Sequence, residues 1–150
     1  MTASTLRLHH LETHSRANGP GVRIVLWTQG CSLGCAGCFN PQTHPTQGGQ
    51  LWKVTDLVRH ISSLQYSVEG ITLSGGEPLQ QMQPVLRLLR EVLRLTSLSI
   101  ILFTCFSWQE IHQFPHGKQL LACLDVLLAG RYVHAERLAT GLRGSASKTV

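Results

Sequence analysis

The stretch VRIVLWTQGCSLGCAGC, residues 22–38, joins an apolar run to a cluster of thiols. Its first part, Val22–Thr28, is rich in β-branched and apolar residues, which is typical of a buried strand. Three of the five cysteines in the chain, Cys31, Cys35 and Cys38, follow almost at once. Because they lie too close together to read as a disulfide framework, the cluster indicates metal binding or chemistry in a reducing compartment.

Beyond this stretch, short apolar runs alternate with segments of helical periodicity. The predicted strands are residues 5–12, 22–28, 70–74, 98–105 and 125–130, and the predicted helices are residues 84–95, 108–114, 118–124 and one capped by Thr55 or Asp56. This alternation predicts a parallel sheet with right-handed crossovers. The nearly continuous apolar strands predict helices on both faces of the sheet.

The segments rich in polar and glycine residues each come directly after a predicted strand. The cysteine loop follows the second strand, SGGEP (Ser74–Pro78) follows the third, and TCFSW (Thr104–Trp108) follows the fourth. In parallel α/β sheets, function collects at the carboxyl ends of the strands. We therefore expect these three loops to share one edge of the sheet.

Composition and charge limit the class of protein. The 150 residues, 43% hydrophobic and 14% charged, indicate one globular domain, residues 1–150, and exclude a disordered chain. No apolar run approaches the roughly 18 residues that span a bilayer, and the first residues turn polar too soon for a secretory signal. We expect a cytoplasmic protein. The net charge of +5 alone indicates neither a nucleic-acid nor a membrane partner.

Three closely spaced thiolates suit one kind of metal centre well. A [4Fe–4S] cluster has four irons, so three thiolates leave one iron open to bind a small molecule. The glycines Gly30, Gly34 and Gly37 free the loop for the turns that such a cluster requires. A tetrahedral zinc site needs four ligands, and Cys105, Cys123 or a histidine remains open as the fourth.

The motif CSLGCAGC, residues 31–38, resembles the cysteine signature of the radical S-adenosylmethionine (SAM) superfamily. Further motifs occur in the order and at the distances that are typical of one branch, namely NGPGVR, LWTQGCSLGCAGCFNP, LSGGEPL, LFT, DVLLAGRYV and LRGS. That branch is the anaerobic ribonucleotide-reductase-activating proteins, which activate a glycyl-radical enzyme. The resemblance covers about residues 18–145, and the combination is specific where each piece is not.

The resemblance implies an α/β fold, a partial and open (β/α) barrel with a mainly parallel sheet, since an eight-stranded barrel takes about 250 residues. It also implies that Cys31, Cys35 and Cys38 hold three irons and are the catalytic centre. SAM would chelate the fourth iron through its amino and carboxylate groups. One electron would then cleave SAM to methionine and a 5′-deoxyadenosyl radical, which abstracts hydrogen from a backbone glycine of a partner enzyme.

Two segments resemble those that bind SAM in this branch. The segment that resembles the methionine-binding one comprises Gly75, Gly76, Glu77 and Pro78. Its glycines bring the backbone close to a ligand, and Glu77 adds a negative charge for an ammonium group. The segment that resembles the one beside the adenine comprises Gly37, Cys38 and Phe39, and Phe39 offers the base a stacking face.

The implied partners are a glycyl-radical enzyme, anaerobic ribonucleotide reductase first of all, and an electron donor such as flavodoxin. The basic stripe Arg87, Arg90 and Arg94 on a predicted helix is either a solvated face or a docking surface for an acidic partner. Two alternatives from other classes stay open. One is a radical SAM enzyme that acts on a small molecule, and the other is an iron–sulfur or zinc module that only binds.

Several other residues have two interpretations. Cys105, where the branch often has glycine, is either a thiol near the cluster or a small residue that closes a strand, and Cys123 is expected in the core. The histidines His9, His10 and His14 lack acidic or cysteine neighbours at ligand spacing, so we expect them to face solvent. Asp125 could orient a ribose or cap a helix end.

Overall fold

The computed structural model describes residues 4–35, 38, 41–131 and 150. The strands in these ranges are β1 (Thr5–Ser15), β2 (Arg23–Thr28), β3 (Gln50–Lys53), β4 (Gly70–Gly75), β5 (Ser99–Phe103) and β6 (Val126–Leu128). The α-helices are α1 (Val54–Ser63), α2 (Met82–Leu95), α3 (Trp108–Gln113) and α4 (Gly117–Ala122), and short 3-10 helices cover Pro41–Thr43 and Pro78–Gln81. No helix in the described ranges is long and apolar enough to cross a bilayer.

The strands form one open sheet in the order β3-β1-β2-β4-β5-β6. The pairs β2–β4, β4–β5 and β5–β6 are parallel, whereas β1 runs antiparallel to both β2 and β3. This mixed but mainly parallel sheet confirms the expected α/β class and the open barrel. β1 is antiparallel to both of its neighbours, and the short link 16–22 to β2 cannot supply the long crossover that a parallel pair needs.

The apolar core lies between the helices and one face of the sheet. The strand residues in this core are Leu6, Leu8, Ile24, Leu26, Ile71, Leu73, Ile100 and Leu102, and all four described α-helices contribute to it. Side chains alternate along a strand, so Val25, Thr72 and Ile101, which pair in register, lie on the opposite face and outside this core. The four described α-helices all contribute to this core, so helices on the opposite face stay a prediction.

Helix α1 begins one residue before the predicted caps. Its first residue is Val54, preceded by Lys53, which makes no side-chain capping bond, so neither Thr55 nor Asp56 is the cap. The strand β3 runs directly into the helix, and the Val54 amide donates to the Ser4 carbonyl at 3.0 Å. Sheet pairing, rather than capping chemistry, therefore fixes where this helix starts.

The carboxyl ends of the parallel strands meet at one edge of the sheet, as predicted. The Gly76 amide, after β4, donates to the Thr28 carbonyl at the end of β2, at 2.9 Å. The Thr104 amide, after β5, donates to the Leu128 carbonyl at the end of β6, also at 2.9 Å. The Thr104 hydroxyl also donates to the Glu77 carboxylate, after β4, at 2.7 Å, so the three loops singled out by the sequence are neighbours in space.

Candidate functional site

The cysteine loop starts from a backbone that is fixed on both sides. The Gly30 amide donates to the Thr43 carbonyl at 2.6 Å, and the Cys31 amide donates to the His44 carbonyl at 2.9 Å. From the other side, the Glu77 amide donates to the Gly30 carbonyl at 2.9 Å. The loop therefore leaves the sheet between the segment 41–46 and the turn after β4.

Cys31 lies half-buried in the first half of the loop. Gly34, three residues further on, adopts a φ of 61° that a residue with a side chain rarely adopts. Burial raises the pKa of the Cys31 thiol, whereas the backbone N–H groups of Leu33 and Gly34 act in the opposite direction. Amide donors at a sulfur are the surroundings that stabilise a metal-bound thiolate.

Cys31, Cys35 and Cys38 are all free thiols and all half-buried. The Cys38 amide donates to the Cys35 carbonyl at 3.2 Å, so the backbones of these two cysteines are in contact. Within the described residues, no three His, Cys, Asp or Glu side chains are gathered into a metal-binding set. The donor chemistry fits a cluster held by three thiolates, and ligation by these cysteines stays a prediction.

The two glycines after β4 are required by close contact between chain segments. A Cβ at Gly75, whose φ is 104°, would lie 2.4 Å from the Thr28 nitrogen. A Cβ at Gly76 would lie 2.4 Å from the Gly30 carbonyl oxygen. No side chain fits at either distance, so the glycines allow the turn after β4 to lie against the start of the cysteine loop. Approach to a ligand, the reason expected from sequence, stays a prediction.

Glu77 points into the protein. It is 0% exposed, and its carboxylate accepts from the Leu79 amide at 2.9 Å, the Thr104 hydroxyl at 2.7 Å and the Cys105 amide at 2.7 Å. Pro78, which is also buried, begins the 3-10 helix that Glu77 caps. This carboxylate therefore connects the loop after β4 to the loop after β5. That the segment binds the amino group of methionine stays a prediction.

The segment expected beside an adenine falls mostly outside the described part of the chain. Gly37 and Phe39 lie outside the described residues, whereas Cys38 is described and half-buried. The proposed stacking of Phe39 on a base therefore stays a prediction.

Three glutamines, which sequence reasoning missed, surround the start of the cysteine loop. Gln29 Oε1 accepts from His9 Nδ1 at 2.9 Å, and Gln29 Nε2 donates to the Pro45 carbonyl at 2.7 Å. Gln81 donates to the Gln29 carbonyl at 3.3 Å, and Gln80 hydrogen-bonds to the loop itself. The available signal was position alone, since Gln29 stands just before Gly30 and the other two follow the GGEPL segment.

A cation from the segment after β6, Arg131, lies against the loop after β5. The Arg131 guanidinium donates to the Cys105 carbonyl, forms a two-point ion pair with Glu110 at 3.2 and 3.1 Å, and lies 5.3 Å from the Phe106 ring centre. The Ser107 amide and Arg131 together hold the pKa of Glu110 below its ordinary value. Positive charge is thus fixed at the carboxyl edge of the sheet.

The remaining candidate residues differ in their surroundings. Cys123 is buried in the apolar core, as expected, and Cys105 is half-buried beside Glu77. The Asp125 carboxylate accepts from the Ile100 amide at 2.7 Å near the amino ends of β5 and β6. That position fastens the starts of two strands and does not favour contact with a ribose. The exposed histidines on β1 agree with the expectation that they face solvent.

Known proteins resemble this chain over most of its length. Residues 17–150 match the family described as a 4Fe-4S single cluster domain. The anaerobic ribonucleoside-triphosphate reductase-activating protein of Enterobacteria phage T4 is 35% identical over 121 residues, which are 77% of this chain and 74% of that protein.

Other proteins resemble a shorter part of this chain. The pyruvate formate-lyase-activating enzyme of Staphylococcus epidermidis is 35% identical over 98 residues, 57% of this chain but 36% of that enzyme. The crystal structure of QueE from Escherichia coli superimposes with a TM-score of 0.54 at 19% identity, over 69% of this chain and 53% of that one. At this identity, the likeness to QueE shows a shared fold.

Proposed function

The chain belongs to the 4Fe-4S single cluster domain family, and from this premise we propose that it is a radical SAM activase, an oxidoreductase that generates a glycyl radical on a partner enzyme. The observation that carries the proposal is the 35% identity to the T4 activating protein, which extends over 74% of that protein. The relatives named as pyruvate formate-lyase-activating enzymes support the same class of activity. The chain spans 36% of those enzymes, so the identity of the partner belongs to the proposal.

The cofactors are a [4Fe–4S] cluster and SAM, and the chain offers a place for each. Cys31, Cys35 and Cys38, which are all free and half-buried, would hold the cluster. When bound and reduced, the cluster supplies one electron that cleaves SAM to methionine and a 5′-deoxyadenosyl radical. The segment Gly75–Pro78, held against the loop by the Gly76 and Glu77 amides, would orient the methionine end of SAM.

The open sheet suits a substrate that is itself a protein. The edge strands of the described sheet are β3 and β6, so the sheet does not close around the carboxyl edge. A backbone glycine on a loop of the partner can approach such an edge, whereas a small metabolite needs an enclosing pocket. We propose anaerobic ribonucleotide reductase as the partner, because the relative with the broadest coverage among those above activates that enzyme by name.

We propose that an acidic electron donor such as flavodoxin docks on helix α2. Arg87, Arg90 and Arg94 are all exposed on this helix, and Glu91 pairs with Arg94 at 2.7 Å. A cluster of guanidinium groups attracts a protein of opposite charge. The combined change Arg87→Glu and Arg90→Glu should slow reduction of the cluster by flavodoxin about tenfold at low salt. Reduction by dithionite should stay unchanged, and equal slowing with both reductants contradicts the docking site.

The proposal includes a single domain over residues 1–150 and a cytoplasmic location. Both are expectations from composition. Fluorescence of a tagged full chain in cells checks the location, and a membrane-associated signal would contradict it.

The direct test of the function is to incubate the reconstituted protein anaerobically with SAM, dithionite and the anaerobic ribonucleotide reductase. A glycyl-radical signal in electron paramagnetic resonance (EPR) is expected on the reductase, together with 5′-deoxyadenosine. The controls are the Cys31→Ala variant and a reductase whose radical glycine is replaced by alanine. If 5′-deoxyadenosine forms without a glycyl radical, action on a small molecule is favoured, and if none forms, the chain is a binding module.

A further inference from the structure

We infer that Gln80 is a positioning residue for the cysteine loop, because its carboxamide forms two hydrogen bonds with Ser32, which lies between Cys31 and Cys35. Nothing in the sequence pattern marks Gln80 as part of a metal centre, and it follows the GGEP segment. The inference rests on the proposed function, since the shape of the loop matters for a cluster that its thiols hold.

Both ends of the Gln80 amide are engaged by one residue. Its oxygen Oε1 accepts from the Ser32 backbone N–H at 3.1 Å, and its nitrogen Nε2 donates to the Ser32 Oγ at 2.6 Å. Because the amide uses its acceptor on the backbone and its donor on the side chain, its orientation is defined. Ser32 is therefore held through the main chain and the hydroxyl together.

The position of Ser32 decides where the following amides point. Ser32 lies directly after Cys31, and Leu33 and Gly34, whose φ is 61°, follow it before Cys35. A loop that is free at Ser32 leaves the orientation of the amides in this segment undefined. Hydrogen bonds to a ligand sulfur raise the reduction potential of an iron–sulfur cluster and help to retain it.

Gln80 lies in a segment that is itself hydrogen-bonded to β1. Gln80 lies in the 3-10 helix Pro78–Gln81, and the next residue, Gln81, accepts from the Arg7 amide at 2.8 Å. Gln81 also donates to the carbonyls of Arg7 at 3.0 Å and of Gln29 at 3.3 Å. The 3-10 helix therefore ties the cysteine loop to β1, and the segment expected to bind SAM shares this support.

Removing the Gln80 side chain should leave the fold intact, because Gln80 is exposed. The test compares reconstituted Gln80→Ala with Gln83→Ala, a control in which an equally exposed glutamine on the first turn of α2 is replaced. We expect Gln80→Ala to lose iron to a chelator about tenfold faster than the wild-type protein. We also expect an EPR-monitored titration without SAM to give a lower midpoint potential, and Gln83→Ala to match the wild type in both measurements.

A double-mutant cycle tests whether Gln80 acts through Ser32. If it does, Ser32→Ala combined with Gln80→Ala loses iron no faster than Gln80→Ala alone, because the second change removes a contact already lost. Rates that multiply, or a wild-type rate and potential in Gln80→Ala, overturn the inference while leaving the proposed function in place. A wild-type protein that assembles no cluster at all overturns both.

Discussion

Two buried charges stand at opposite ends of the same parallel strands, and they serve different purposes. Arg23, 1% exposed, lies at the start of β2, and Glu77, 0% exposed, lies just past the end of β4. Each is held by backbone groups and hydroxyls, as buried polar groups must be to offset the loss of water. They differ in what those hydrogen bonds connect.

Arg23 fastens strands to one another. Its guanidinium donates to the Thr72 hydroxyl at 2.8 Å, the Ile71 carbonyl at 2.8 Å and the Ser99 carbonyl at 2.9 Å, which joins β2 to the starts of β4 and β5. It also donates to the Pro20 carbonyl in the preceding turn at 3.4 Å. Burial lowers the pKa of Arg23. The amino edge is thus a closed structural network.

Glu77 instead connects loops at the carboxyl edge. Its partners at Leu79, Thr104 and Cys105 belong to the segments that follow β4 and β5. The same buried charge that stabilises the protein therefore shapes the surroundings of the cysteine loop. The comparison predicts that damage at the amino edge lowers stability alone, whereas damage at the carboxyl edge also lowers cofactor binding.

The largest expected effect is at the cysteine loop. Serine at Cys31, Cys35 or Cys38 should abolish the [4Fe–4S] cluster, because each change removes one of three thiolate ligands. The unfolding of the cluster-free protein should change little. Iron and sulfide analysis after reconstitution measures the loss, and Cys105→Ser and Cys123→Ser are the matched controls. If the cluster still forms in any of the three variants, or is lost in both controls, the assignment of these thiols as its ligands is contradicted.

The second effect is at the amino edge. Arg23→Met should lower the free energy of unfolding by about 3 kcal/mol, because it leaves the Ile71 and Ser99 carbonyls without their buried donor. Urea unfolding of the cluster-free protein measures it, with the exposed Arg16→Met as control. The folded, reconstituted variant should bind SAM with wild-type affinity. A matching loss of SAM affinity would show that the two edges are not separable.

The third-largest effect is expected at the carboxyl edge of the sheet, from replacing Glu77. Glu77→Gln should lower the free energy of unfolding by about 2 kcal/mol, because an amide N–H₂ would face the donors that the carboxylate now accepts. Unlike Arg23→Met, it should also weaken SAM binding, which equilibrium dialysis of the reconstituted protein measures. Unchanged SAM affinity in Glu77→Gln would mean that this carboxylate supports the fold only.

The smallest effect contrasts an exposed charge pair with the buried Glu77. The Arg131–Glu110 pair is about two-fifths exposed, at 41% and 40%, so solvent screening limits its value to below about 1 kcal/mol. Because the folded pKa of Glu110 is lowered, its contribution is present above the ordinary value of 4.5 and is lost as pH falls through the folded pKa. Glu110→Gln should therefore be less stable than wild type at pH 7 and equal to it at strongly acidic pH. A difference that persists in acid would contradict this assignment.

The parallel half of the fold could be predicted from the sequence because each strand there is a local apolar run. The apolar runs at 22–28, 70–74 and 98–105 all form strands. Because the carboxyl ends of parallel strands meet at one edge of a sheet, the loops that follow them could also be predicted to lie together. β3 was not predicted, since four residues after Gly48 and Gly49 give too short a pattern. The antiparallel direction of β1 depends on the length of its link to β2.

The site could be predicted in part. The order of the motifs identified the cysteine loop and the GGEP segment, because both are local in sequence. The carboxylate of Glu77 points inward because it bonds to Thr104 and Cys105, and Gln80 holds the loop because it bonds to Ser32. In each case the two residues in contact are far apart along the chain. Local patterns do not contain such contacts, so neither role could be predicted.

The central claim is that three cysteines hold a cluster whose fourth iron is free to bind SAM. The most direct measurement is EPR of the anaerobically reconstituted, dithionite-reduced protein before and after SAM is added. We expect a reduced [4Fe–4S] signal that changes on addition of SAM, with 5′-deoxyadenosine as product. A tetrahedral zinc centre, or a cluster signal that SAM leaves unchanged, would contradict it.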